Sequence, residues 1–375
     1  MSRRAFPALG PLLLLRGLSI NRRRPDIDAL ARETNPERFV WRVLPHAARS
    51  FAASIVVLPP DQARAAAVAY LYCRMLDTYE DLIPDPATSI SELSRFAARL
   101  DSSPPSAPTP IPADLARDPA DRLYRLLIAR CALVDAVYER LPVDVQAQIR
   151  ELVRSMAEGM AWSTDAFARQ GGVLLDEDQL ALYCRHAIGH PAVFVLNLVG
   201  TREFTEPARD DAFQVSEMIQ LANVSRDIER DLARGIAYHP ALKPHLGDAG
   251  RQPGTQAVVR DVREEYLAMA LSRAPAYRRL FDRLDLGETA AVRTAAVLML
   301  LFTDLHYRSC AVRTGHPPWP GPRGPLQVVA GAVPALMSPR WARRILERVE
   351  NDFAGAARGL TSDLGRTALA QPAAT

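Results

Sequence analysis

Two stretches of the chain place aspartates four residues apart beside an arginine, and this repeat constrains the fold more than any other feature. Tyr70 to Asp81 reads Tyr-Leu-Tyr-Cys-Arg-Met-Leu-Asp-Thr-Tyr-Glu-Asp, and Asn223 to Asp231 reads Asn-Val-Ser-Arg-Asp-Ile-Glu-Arg-Asp. Positions three and four apart share a helix face, so Arg74, Asp77 and Asp81 form one stripe and Gln220, Asn223, Asp227 and Asp231 another. Leu71, Met75, Tyr79 and Leu82 take a different side of the first helix; Leu221, Val224, Ile228 and Leu232 do so in the second. One such helix is also what an ordinary amphipathic surface helix looks like. The second copy points instead to carboxylate pairs brought together. Such pairs repel unless cations separate them, and hard oxygen ligands select magnesium over zinc. Magnesium retains water and takes phosphate oxygens, so the chemistry to expect is ionisation of a diphosphate whose growing charge is neutralised as the carbon–oxygen bond breaks.

Further segments fall in order around these two: His-Ala-Ala-Arg-Ser-Phe at 46–51, Tyr-Cys-Arg-His-Ala-Ile-Gly at 183–189, and Tyr238 and Pro240 beyond Asp231. The ordered set, across roughly residues 40 to 310, resembles the squalene and phytoene synthases. The Asp-Thr-Tyr-Glu-Asp stretch resembles the squalene version. The resemblance implies an all-α fold: a single large helical bundle of the class I isoprenoid synthase type with a central apolar cavity, its mouth carrying the two Asp motifs. It implies a prenyltransferase that joins two farnesyl diphosphates head to head, through presqualene diphosphate to squalene, with Mg2+ and NADPH as cofactors. Asp77, Asp81, Asp227 and Asp231 would hold the metal. Arg49, Ser50, Arg74, Gln220, Asn223, Arg226 and Tyr238 would bind substrate, and Tyr183 would place a polar group near the cation. Where the family carries an arginine after Gly235 this chain has Ile236, which leaves Arg234 as the substitute. The alternatives are a phytoene or dehydrosqualene synthase, an enzyme that stops at presqualene diphosphate, a relative that cyclises or transfers a single prenyl diphosphate, and an inactive helical lipid-binding relative.

Composition narrows the field. The 375 residues are 48% hydrophobic and 24% charged, enough for one large helical domain or two small ones. The 46 Lys and Arg against 43 Asp and Glu are dispersed, which gives no nucleic-acid signature. Cys73, Cys131, Cys184 and Cys310 lack metal spacing and sit in apolar context, as buried thiols of a reducing cytoplasm do. His186 and His190 have zinc-compatible spacing but no third ligand nearby.

Along the chain, 1–39 reads as a tail and first helix, 40–315 as the catalytic domain and 316–375 as an extension. Met1 to Arg24 is basic with a short apolar run, too short for a signal peptide or a span, and suits at most peripheral membrane contact by an ill-ordered tail. A helix capped by Asp61 is expected to run to Asp81 and stop before Pro84. The proline-rich 101–113 reads as a mobile, expendable loop. Helices are expected over 119–140, from Val143 past Trp162, over 176–189 with a bend at Pro191, over 258–281, over 288–307 and over 341–359. Thr314 to Pro325 reads as an exit from the core, and the tail beyond Gly365 as disordered. Val328 to Met337 is too short to span a bilayer, so no transmembrane anchor is expected.

Overall fold

The computed structural model describes residues 25–116 and 118–370, with side chains to residue 360. The basic stretch Met1 to Arg24 lies outside the described residues. Among those described the chain is all-α, and its β content is one isolated bridge between Val173 and Ala237. Contacts divide it into two compact units. One runs up to Asp165 and takes in Val193–Val199 and Ala291–Met299; the other holds Ala166–Ala192, Gly200–Ala290 and the chain from Leu300 onward.

The first unit is built from α1 (Ile27–Ala31), α2 (Pro36–Ala48), α3 (Ser50–Val56), α4 (Pro60–Leu82), α5 (Pro86–Ala98), α6 (Pro119–Ala129), α7 (Cys131–Tyr138) and most of α8 (Val143–Gln170). Helix α4 starts at Pro60, whose fixed φ suits a first turn. Asp61, the expected cap, lies inside that turn and pairs with Arg64 at 3.0 Å, because Pro59 takes the capping position. The alanines Ala63, Ala65, Ala66 and Ala67 are buried and allow close approach of neighbours, while Leu71, Tyr72, Met75 and Leu76 are fully buried. Each large apolar side chain so buried stabilises the fold by roughly 1.5–3 kcal/mol. The Tyr72 hydroxyl donates to Asp135 (2.7 Å), which also pairs with buried Arg99, so this buried carboxylate is bonded by two partners.

The proline-rich stretch has no regular structure between the short 3-10 turns Arg99–Asp101 and Ala113–Leu115. It is, however, tied to the helices beside it. The Tyr79 hydroxyl donates to Thr109 O, Arg99 Nε donates to Ser106 O at 2.6 Å, and Ile111 is buried. Prolines cannot build a helix here, but carbonyls without helical partners are good acceptors for buried donors arriving from α4 and α5.

The second unit contains α9 (Glu177–Cys184), α11 (Glu206–Ala233), α12 (Pro253–Ser272), α13 (Ala274–Arg283), α15 (Pro325–Met337) and α16 (Pro339–Ala370), while α10 (His190–Val199) and α14 (Ala290–Thr314) are each divided between the two units. The expected 176–189 helix ends at Cys184, and Arg185–Gly189 opens into a π turn that closes with His190 N donating to Arg185 O. The wider turn gives room to the Pro191 ring, which would strike a carbonyl in a regular helix. Helix α11 is deeply set: Tyr307 donates to Met218 O, and Arg263 donates to Ser225 O at 2.9 Å. The stretch Thr314 to Pro325, expected as an exit from the core, is held within its unit, since Trp319 Nε1 donates to Asp304 (2.7 Å) and its ring stacks edge-on against Phe353. Helix α16 extends past both the expected 359 end and Gly365, to Ala370. Helix α14 is apolar and long enough to cross a membrane, yet 67% of its apolar window is buried within the molecule. All four cysteines are buried free thiols, as their apolar contexts indicate.

Candidate active site

Helix α4 carries the first motif. Arg74 donates to the Tyr70 hydroxyl (3.1 Å), pairs with Asp77 (3.1 Å), and places its guanidinium 5.1 Å from the Tyr124 ring centre. Its buried Nε has no hydrogen-bond partner among the described residues. The Tyr70 hydroxyl also donates to Ala47 O (3.4 Å), and its ring lies 5.9 Å from the Phe51 ring, so the turn holding Arg49 and Ser50 abuts the helix that holds Arg74. Arg49 itself joins α2 to α3 with φ 48° and ψ −116°, a conformation that favours glycine. Its side chain is exposed, and that of Ser50 partly so.

The electrostatics of this motif follow from burial. Although Asp77 keeps 29% of its side-chain surface, the protein around it raises its pKa to about 6, a rise that Arg74 opposes and Asp81 reinforces. Glu80, which no spacing rule singled out because it leaves the Asp77–Asp81 stripe, goes further. Burial first, then Asp81, push it up to about 8, while the Ser163 hydroxyl donates to it at 2.8 Å and moderates the rise. This is an excess of carboxylate in a confined place, the condition that a divalent cation relieves. Among the described residues no group of three or more His, Cys, Asp or Glu side chains is gathered tightly enough to hold a metal alone. A cation here would complete its shell with water or substrate phosphate, as magnesium does. The unpartnered Arg74 Nε suits an incoming anionic oxygen.

Helix α11 carries the second motif. Arg226 grips Asp227 through two bonds, at 2.9 and 2.6 Å. A string of hydrogen bonds leads from the same helix: Asn223 Nδ2 to Gln220 Oε1 (3.1 Å), Gln220 Nε2 to Tyr183 OH (3.4 Å), and Tyr183 OH to Tyr238 OH (3.1 Å). Four residues picked from scattered segments thus lie in one network, with the two phenol rings 4.8 Å apart and Phe167 edge-on to Tyr238. Tyr238 is placed by a backbone clasp in which Ala237 N donates to Gly172 O (2.8 Å) and Leu174 N to Ala237 O (3.0 Å). Gly172 has φ 86°, and a Cβ there would come within 2.2 Å of Gly235 O, so only glycine allows the approach. Asp231, Ile236 and Tyr238 border a narrow crevice with Tyr266. Ile236 thus contributes apolar wall where an arginine was expected, and Arg234 caps α11 with an exposed side chain.

Spacing gave no signal for the residues that brace this helix. Arg263, almost wholly buried, binds Ser225 O and Glu229 (2.7 Å); Arg313 binds Arg226 O (2.9 Å) and the same Glu229 (2.7 Å). His306 lies near Arg226 and Asp227, and burial, with Arg226, holds its imidazole below the usual pKa. The His186 and His190 rings are 5.3 Å apart, on the π turn and at the start of α10.

A fold made of helices alone, with acidic motifs on two of them, defines a class, and comparison with known proteins gives it a family. Residues 44–323 match squalene/phytoene synthase, and the chain belongs to that family. It is 29% identical to phytoene synthase 1 of Arabidopsis thaliana over 64% of this chain and 51% of that protein, and 28% identical to the squalene synthase ERG9 of Candida albicans over 56% and 47%. The chain thus spans about half the length of these curated relatives. Among solved structures it resembles TcSQS in complex with the ligand E5700, with a TM-score of 0.61 at 20% identity over 87% of this chain and 99% of that one.

Proposed function

We propose that this chain is a prenyltransferase that joins two farnesyl diphosphates head to head to give presqualene diphosphate, then reduces that intermediate to squalene with NADPH. The observation that carries this reading is the pair of acidic motifs, each beside an arginine and each within the family-matched span, the first with ionised carboxylate held at a cost. Asp77, Asp81, Asp227 and Asp231 would hold Mg2+, which when bound neutralises charge on the departing diphosphate. Arg74, with its open Nε, and Arg49, Ser50, Asn223, Arg226, Arg234 and Tyr238 bind and orient the diphosphates. In the first step the leaving diphosphate takes the electron pair of its C–O bond; the second substrate's double bond adds to the allylic cation, and proton loss closes the cyclopropane. In the second step the remaining diphosphate would leave, and NADPH, when bound, would supply the hydride that reduces the rearranged cation. The linked hydroxyls of Tyr183 and Tyr238 supply neutral, polarisable oxygens beside Gln220.

The phytoene synthases among the relatives favour a second reading, in which the intermediate eliminates a proton and is not reduced. Radiolabelled farnesyl or geranylgeranyl diphosphate with magnesium, with and without NADPH, distinguishes the two. Squalene with NADPH and presqualene diphosphate without it is the expected result. The same hydrocarbon under both conditions replaces squalene synthesis with elimination. Consumption of one substrate without a two-substrate product points to a cyclase or transferase. A thermal melt tests for an inactive lipid-binding relative: stabilisation that needs both magnesium and pyrophosphate supports the enzyme.

A further inference from the structure

Helix α15, Pro325–Met337, contains no charged residue, and on its exposed surface Gln327, which accepts from Arg323 N at 2.6 Å at the helix start, is the polar side chain. Val328, Ala332 and Ala335 are buried. Leu326, Ala330, Val333 and Met337, at spacings of four, three and four, form a single stripe on the opposite side, where Leu326 is 58%, Val333 48% and Met337 77% exposed. Trp341, in the first turn of α16, adds a 47% exposed indole four residues beyond Met337. Scattered exposed apolar residues are ordinary, but a continuous apolar stripe along a helix marks a contact surface.

The charge around the stripe selects what it contacts. No Asp or Glu occurs between Asp304 and Glu347, whereas that stretch carries Arg308, Arg313, Arg323, Arg340, Arg343 and Arg344. Arg308 and Arg313 are engaged within the fold and Arg343 pairs with Asp282 at 3.2 Å. Exposed Arg323 precedes the apolar helix, and exposed Arg340 and Arg344 follow it, the latter with its guanidinium 4.9 Å from the Trp341 ring centre. A second copy docked through the same stripe would bring these arginines against their own counterparts. Thirteen residues make a helix about 20 Å long, short of the roughly 30 Å of a bilayer core, so the helix can lie along a membrane but not cross one.

We infer that α15 and the start of α16 form a surface that docks on anionic lipid bilayers, with Leu326, Val333, Met337 and Trp341 entering the headgroup boundary and Arg323, Arg340 and Arg344 pairing with lipid phosphates. The test is co-sedimentation of the full chain with vesicles of phosphatidylcholine alone and of phosphatidylcholine mixed with phosphatidylglycerol. The chain is expected to bind the mixed vesicles and to leave the neutral ones. The double substitutions Val333→Ser with Met337→Ser and Arg340→Gln with Arg344→Gln should each weaken that binding about tenfold. Both pairs are exposed, so the melting temperature should not move. Absence of binding by the parent chain, equal binding to both vesicle types, or unchanged binding of both variants overturns the inference. So does a dimer, seen by light scattering, that Val333→Ser with Met337→Ser dissociates, because a second copy would then be the occupant.

Discussion

The Tyr79 hydroxyl donates its hydrogen bond to the main-chain carbonyl of Thr109, tying the helix of the first acidic motif to the proline-rich segment. Ile111 is buried and Arg99 binds Ser106 O in the same segment. Excision of Ser102 to Pro112 should therefore lower the melting temperature markedly, and Tyr79→Phe alone should cost about 1 kcal/mol in urea denaturation. An unchanged transition after excision would mean the segment contributes no packing.

Arg49 lies at φ 48° between two helices, a conformation that costs a side-chain-bearing residue about 1 kcal/mol or more. Arg49→Gly should then be about 1 kcal/mol more stable than Arg49→Ala, while both lose turnover if the guanidinium binds diphosphate. Equal stabilities, measured by denaturant titration, would remove strain from this junction.

Asp77→Asn and Asp227→Asn preserve side-chain volume and delete a candidate metal ligand. Each should reduce turnover by about a hundredfold or more with the circular dichroism spectrum unchanged. Activity within a few-fold of the parent would sink the assignment of these carboxylates.

Glu80 gives the stability a pH dependence of defined sign. Its carboxyl is raised to about 8 in the fold from an ordinary value of 4.5, so the folded chain holds this proton more tightly than the unfolded chain. Its contribution is complete below about pH 4.5 and is lost as pH rises toward 8. Without divalent cations the melting temperature should fall across that window, and Glu80→Gln should flatten the decline. Magnesium, which would bind the ionised form, should stabilise the parent more at high pH than at low. A Gln variant whose pH profile matches the parent's would show that Glu80 does not titrate in this range.

Arg263 is buried against Ser225 O and Glu229, two groups of the helix that carries Asp227. Arg263→Met should destabilise by about 3 kcal/mol, since it leaves Glu229 with less compensation and a carbonyl without its donor. Calorimetry measures the loss; a change under about 1 kcal/mol would mean Arg313 alone braces the helix.

How much of this was legible in the sequence depends on distance along the chain. The helices of the two acidic motifs, the shared face of Arg74, Asp77 and Asp81, and the burial of the four thiols are consequences of local periodicity and side-chain polarity, so the residues themselves determined them. The exact ends were less legible. Pro59 took the cap expected of Asp61, and a π turn replaced the last turn before His190, because Pro191 constrains the preceding backbone through its ring and not through hydrophobic pattern. Only the tertiary structure decided that Tyr183 meets Tyr238, 55 residues away, and Gln220, 37 away; that Glu80 leaves its stripe to meet Ser163, where burial raises its pKa; and that Thr109 receives the Tyr79 hydroxyl. Those outcomes depend on which buried donors and acceptors the packed helices bring within bonding distance. Periodicity specifies the face on which a side chain lies, while packing specifies what meets it there.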